Sequence, residues 1–226
     1  MAPSYTHGHA ESVLRSHRAR TAANSAAYLL PRLRAGQSLL DVGSGPGSIT
    51  ADLARLVAPG RVVALETSEA VLAHTRAGLE ASGVSGVEFV VGDVHTLDLP
   101  DNSFDVVHAH QVLQHVADPV QALRELVRVC RPGGVVAVRD ADYSAFTWWP
   151  ARPGLDRWLE LYLELARANG GEPDAGRHLL AWAHAAGCER VEATASTWCY
   201  ADDESRAAWG LGWADRILDS SVAGQL

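Results

Sequence analysis

Leu39-Leu40-Asp41-Val42-Gly43-Ser44-Gly45-Pro46-Gly47 runs an apolar strand into an acidic residue and then into three glycines at alternate positions. Glycine at such places lets the backbone turn tightly and approach a bound molecule with no Cβ in the way. The turn therefore reads as a binding loop, with Asp41 at the strand's end placed to meet a cation. A dinucleotide fingerprint needs G-x-G-x-x-G and holds a pyrophosphate at the N-terminus of the following helix. Here the third glycine comes one residue early, and the carboxylate before the first would repel a diphosphate.

Outward from this loop the chain alternates strand and helix signals. Ile49, Leu53, Leu56 and Val57 share one face of a helix over residues 49–58. A strand over 61–65 ends in Glu66, and Ser68 caps the next helix with Glu69 in its first turn. A third strand, 87–91, leads into Gly92-Asp93-Val94, and a fourth, 104–109, follows the turn cluster Leu99-Pro100-Asp101-Asn102-Ser103. Asp118 as cap and Pro119 at the first helical position start a helix with Val120, Leu123, Val127 and Cys130 as its buried stripe. Arg131-Pro132-Gly133-Gly134 stops it before a fifth strand, 135–138. This order predicts an α/β fold: a doubly wound, mostly parallel Rossmann-like sheet with helices on both faces.

The run of motifs from the glycine loop to the fifth strand resembles the class I S-adenosylmethionine (SAM) methyltransferases, in particular the type 11 subgroup that includes the ubiquinone and menaquinone biosynthesis methyltransferases. The resemblance covers residues 37–140. It implies that Gly43, Ser44, Gly45 and Gly47 form the cofactor loop and that Asp41 answers the SAM ammonium. Glu66, with Thr67, would take the ribose diol, and Asp93, with Val94, the adenine amine. His110 and Gln111 would face the methionine part. It further implies transfer of the methyl group to a small-molecule acceptor on oxygen, nitrogen or carbon, leaving S-adenosylhomocysteine. An Asn/Asp-Pro-Pro-aromatic motif is absent after the fourth strand, where Ala109-His110-Gln111-Val112 stands instead, which argues against nucleobase or glutamine methylation.

Methyl transfer from a sulfonium asks mainly for positioning, worth up to ~7 to 11 kcal/mol, and needs a base only when the acceptor carries a proton. His115 is the first expectation for that base, against its being a helix-start residue bonded to backbone. Asp140, Asp142 and Tyr143, just past the fifth strand, are alternatives for binding or orienting the acceptor, and the acidity there hints at a neutral or cationic acceptor. Two rivals are a SAM-binding protein without turnover and an NAD(P)-dependent oxidoreductase; fold alone does not decide between such functions.

Length of 226 residues fits one domain, divided as an N-terminal helical cover (1–36), a SAM-binding core (37–140), a helical substrate cap inserted after the fifth strand (141–187), and a sixth strand with a C-terminal helix (188–226). The cover is expected as a helix over 11–30 broken by Pro31, lined by Tyr5, His9, His17 and Asn24. In the cap, Leu155, Trp158, Leu159, Tyr162 and Leu165 form a helical stripe, Trp148 and Trp149 a candidate aromatic pocket wall, and residues 174–186 a second helix ending at Gly187. Residues 189–200 alternate as a sixth strand. The family's last antiparallel strand is not found, so either the chain is a fragment, the reading favoured because 220–226 carries no stop signal, or a partner supplies the edge, or the sheet closes differently. An open edge would promote association, so a homodimer is expected. Net charge of -8 argues against a nucleic-acid footprint and disfavours polyanionic substrates. With no apolar run long enough to span a membrane and no signal-peptide core, a cytoplasmic protein is expected. Cys130, Cys188 and Cys199 lack metal or disulfide spacing, and no metal is expected.

Overall fold

Five parallel strands in the order β3-β2-β1-β4-β5 form the centre of the computed structural model, which describes residues 16–219. β1 (Leu39–Val42) and β4 (Phe104–His110) are buried along their whole length. Their burial follows from being covered on both faces, as parallel strands usually are, and the polar residues they carry, Asp41, Asp105, His108 and His110, are buried with them. β2 (Val62–Glu66) and β3 (Val87–Val91) extend the sheet on one side and β5 (Cys130–Arg139) on the other. The order reverses between β1 and β4, and ligands of doubly wound sheets bind beyond the strand carboxyl ends at such a switch point.

Helices α1 (Ala22–Ser25) and α2 (Ser48–Val57) share one core with Leu39, Val62, Val106 and Ala137. α3 (Glu69–Ala81) packs against α2 and β2. On the opposite face α4 (Pro119–Val129), with Leu179 and Trp182 of α6 (Ala175–Ala185), covers Leu40, Val63, Val107 and Ala109. Ser68 and Asp118 cap α3 and α4 by accepting from the Val71 and Gln121 N–H groups, as their sequence positions indicate. α5 (Pro153–Ala168) and α7 (Asp203–Asp219) meet through an aromatic cluster of Tyr143, Tyr162, Trp158 and Trp213.

Several expectations are corrected. The buried stripe of α4 is Ala122, Leu123, Leu126 and Val129, while Val127 is exposed. Two overlapping apolar stripes share Leu123, and the one that meets β4 and β5 is buried. Leu56 likewise points outward from α2. β5 begins at Cys130, not residue 135, with a register shift against Phe104 and Val106 that absorbs Arg131-Pro132-Gly133-Gly134. Residues 191–200 form no strand despite their alternation, because no neighbour pairs their backbone, so the sheet has five strands among the described residues. The N-terminal cover is not one helix: residues 16–18 are helical, the chain turns at 19–20, and Thr21 opens α1 through a capping box with Asn24. Tyr5 and His9 lie outside the described residues.

Candidate functional site

The glycine loop leaves β1 and enters α2 through three residues in the left-handed region: Gly43 (φ 72°), Gly45 (φ 53°) and Gly47 (φ 80°). A Cβ on Gly43 would collide with Val112, and one on Gly47 would lie 2.9 Å from the Thr75 carbonyl. Glycine is therefore required by conformation and by close approach together. The loop is held from α3, where Thr75 Oγ1 donates to the Gly45 carbonyl at 2.7 Å and lies 3.1 Å from Ser44 Oγ. Gly78, one turn on, lets α3 lie against the Pro46 carbonyl, which any Cβ would strike.

Glu66, ending β2, reaches the loop from the strand beside β1. Its Oε1 accepts from the Gly45 N–H at 2.7 Å and its Oε2 from the Thr67 N–H at 3.3 Å. Burial pushes its carboxyl above the ordinary value, partly offset by those two bonds. Each oxygen still has lone pairs to offer a ligand hydroxyl. Thr67 itself is exposed and contributes its backbone N–H.

Asp41 is turned inward. Its Oδ2 accepts from Thr50 Oγ1 at 2.5 Å, its Oδ1 lies 2.7 Å from His108 Nδ1, and the residue is buried. The carboxylate that the sequence placed against a ligand cation is occupied by two side chains of its own fold, so it braces β1 against α2 and β4. Asp93 is exposed beyond β3, and its carboxylate takes the His95 N–H at 2.9 Å and ring Nδ1 at 2.6 Å, which hold its carboxyl below the ordinary value. Val94 packs in the core beside Leu97 and Leu65, leaving its side chain no surface for a ligand.

At the end of β4, His110 is buried and neither ring nitrogen has a hydrogen-bond partner. Burial and the nearby Arg20 and Arg139 charges hold it well below the usual histidine pKa, so its ring is neutral. Gln111 takes φ 56° and donates its N–H to the Arg139 carbonyl at 2.7 Å, fixing the turn that follows.

His115 does not suit the role of base. Its ring sits 2.9 Å from Gln114 Nε2, and burial lowers its pKa to about 3, leaving a neutral imidazole with little appetite for a proton. Asp140 behaves oppositely: Oδ1 accepts from the Gln114 N–H at 3.0 Å, Oδ2 is buried without a partner, and burial raises its carboxyl to about 7. Tyr143 is buried and stacks on Tyr162 at 4.3 Å and Phe146 at 4.7 Å, so its ring is part of the aromatic cluster. Asp142 is bound by two nitrogens of the Arg177 guanidinium, at 2.9 and 2.6 Å, and is not free to attract a cationic acceptor. Trp149 is 93% exposed, so the expected wall of Trp148 and Trp149 is not built. The aromatic surface comes instead from Trp158 and Tyr162 of α5 with Trp209 and Trp213 of α7.

Thr50, Thr75, Gly78 and His108 hold the loop and were not singled out by the sequence. Only His108 left a signal there, as the residue two before His110 on the same strand face.

A family model described as a methyltransferase domain matches residues 40–138. An uncharacterised methyltransferase of Schizosaccharomyces pombe is 34% identical over 225 residues, covering 96% of this chain and 81% of its own. The ubiquinone/menaquinone biosynthesis C-methyltransferase UbiE of Hahella chejuensis is 43% identical over 132 residues, covering 58% of this chain and 51% of its own. The chain thus spans four fifths of the first relative and about half of the second. Among solved structures, a candidate methyltransferase of Bacillus halodurans superposes with a TM-score of 0.58 at 26% identity, over 71% of this chain and 67% of that one. A SAM-dependent methyltransferase of Aquifex aeolicus shares the fold, with a TM-score of 0.53 at 23% identity over 69% and 86% of the two chains.

Proposed function

Because the chain belongs to the SAM-dependent methyltransferases and takes its methyl group from S-adenosylmethionine, we propose that it methylates a small-molecule acceptor held over the β1/β4 switch point. The Gly43–Gly47 turn and Glu66 hold the cofactor's amino-acid and ribose portions, His110 and Gln111 border its methionine end, and Asp93 takes the adenine edge. Asp41, with Thr50 and His108, positions the loop. The bound cofactor supplies a sulfonium methyl group that leaves readily, so the chain's own work is orientation. Where the acceptor carries a proton, Asp140 is the group that can receive it near neutral pH.

The observation that carries this reading is the Gly45–Glu66 contact, which brings the turn and the β2 acid together on the carboxyl side of the sheet. In the same reading residues 141–187 cap the acceptor, a view supported by the aromatic surface between α5 and α7. No helix among the described residues is long and apolar enough to cross a membrane, and the free thiols Cys130, Cys188 and Cys199 support a reducing, cytoplasmic location. β3 is an open edge with Val91 half exposed, which supports association as a homodimer, measurable by light scattering.

Calorimetric titration with S-adenosylhomocysteine, with NADH and NADPH beside it, tests the assignment. Wild type is expected to bind S-adenosylhomocysteine alone, and Glu66→Ala to bind it about tenfold or more weakly, the cost of losing hydrogen bonds to a charged acceptor. Binding of a nicotinamide nucleotide, or unchanged affinity in Glu66→Ala, would overturn it.

A further inference from the structure

The polar groups beside His110 do not answer one another. Arg139 ends β5 in register with His110 on β4. Its half-buried guanidinium lies 4.6 Å from the centre of the Trp198 ring, and its side chain donates from Nε to Ser196 Oγ at 3.2 Å. It forms no ion pair among the described residues, although burial already weakens its hold on the proton. Trp198 also meets His110 edge-on at 6.1 Å, carries Arg20 5.7 Å from its ring centre, and is anchored by donating Nε1–H to the Asn24 carbonyl at 2.8 Å. Both ring nitrogens of the 7%-exposed His110 are buried with no partner. Buried polar atoms are almost always paired, so two such orphans on one ring mark a place where something binds.

The nearby acids neutralise Arg139 at most in part. Asp41 is engaged by Thr50 and His108, and Asp142 by Arg177. Asp140 holds a proton for part of the time at neutral pH. What remains is a guanidinium group, a neutral imidazole and the indole they flank, at the carboxyl end of β4 where, in the methyltransferase reading, the acceptor meets the methyl group.

We propose that Arg139, Trp198 and His110 form an acceptor subsite for a planar, conjugated organic oxyanion, the guanidinium fork taking its oxygens and the indole flanking its ring. Arginine pairs bidentately with such an anion and stacks on aromatic faces, which a lysine does less well. An amine acceptor would meet Arg139 as a like charge. This subsite replaces the expectation of a cationic acceptor and rests on the methyltransferase reading above.

The test is calorimetry on protein saturated with S-adenosylhomocysteine, using benzoate, benzamide and benzylamine as probes of similar shape and different charge. Wild type is expected to bind benzoate about tenfold more tightly than benzamide, and benzylamine not at all. Arg139→Gln is expected to erase the preference for the anion and Arg139→Lys to keep part of it. Trp198→Leu is expected to weaken benzoate and benzamide alike. Each variant should retain wild-type affinity for S-adenosylhomocysteine, which also shows that it is folded. Failure of benzoate to bind, equal binding of benzamide, or an unchanged preference in Arg139→Gln would overturn the subsite. Failure of wild type to bind S-adenosylhomocysteine would instead overturn the cofactor assignment beneath it.

Discussion

Asp140→Asn is expected to gain stability relative to wild type as pH rises, standing at or below wild type at pH 5 and about 1–3 kcal/mol above it at pH 8. An unfolded chain releases the aspartate proton near 3.9, whereas burial holds the folded carboxyl at about 7. Between those values the folded state binds the additional proton, so this residue's contribution to stability falls as pH rises. At 1.36 kcal/mol per tenfold change in proton affinity, the full penalty is about 4 kcal/mol above pH 7, of which about 1.5 kcal/mol is already present at pH 5. Asparagine removes that penalty and keeps the acceptor for the Gln114 N–H. Its amide N–H group replaces the orphaned Oδ2 and leaves an unsatisfied donor, which takes back about 1–3 kcal/mol at either pH. The difference between variant and wild type should therefore grow by about 2–3 kcal/mol from pH 5 to pH 8. Wild type alone would not reveal this. His110 and His115 have lowered pKa values, so the unfolded chain takes up protons on them below about pH 6.5 and their contribution to stability rises with pH. Urea denaturation of both proteins at the two pH values measures the difference directly. A gap between the two proteins that is equal at pH 5 and pH 8 would refute the buried, protonated Asp140.

Gly78→Ala should cost well over the usual preference for alanine in a helix, about 2 kcal/mol or more, because the Cβ strikes the Pro46 carbonyl and must push α3 off the glycine loop; thermal denaturation and a weakened S-adenosylhomocysteine affinity report it together. Glu66→Ala should leave the melting temperature unchanged or raise it while weakening ligand binding, since it removes a carboxylate that burial already penalises. Trp213→Ala should cost about 2 kcal/mol or more by opening the cluster with Tyr143, Trp158 and Tyr162, and hydrogen exchange should show α5 and α7 losing protection before the sheet does.

The elements around the glycine turn are legible because their signals are local. Three glycines in five residues specify a turn whatever surrounds them, Asp118-Pro119 and Ser68 begin helices through bonds to their own backbone, and four of the five strands are short apolar runs bounded by turn residues. Misreadings arose where the outcome depends on a distant neighbour. Residues 191–200 alternate as well as a strand does, yet alternation describes a surface and not a pairing partner. The stripe of α4 was misplaced because its pattern permits two faces and the sheet chooses one. Trp148 and Trp149 advertise an aromatic pair in sequence, while the aromatic cluster that forms is of Trp158, Tyr162, Trp209 and Trp213, brought together from two helices well separated along the chain.

By itself, then, the sequence determined the sheet's parallel, doubly wound order, the glycine turn and the acids at its strand ends, because each depends on backbone conformation and on residues close in the chain. Only the tertiary structure decided what those acids do. Asp41 is spent on Thr50 and His108, Asp142 on Arg177, and burial moves Asp140 and His115 in opposite directions, the carboxyl up to about 7 and the imidazole down to about 3. The charge, protonation and reach of a side chain follow from its burial and its partners, and those are set by contacts between segments that lie far apart along the chain.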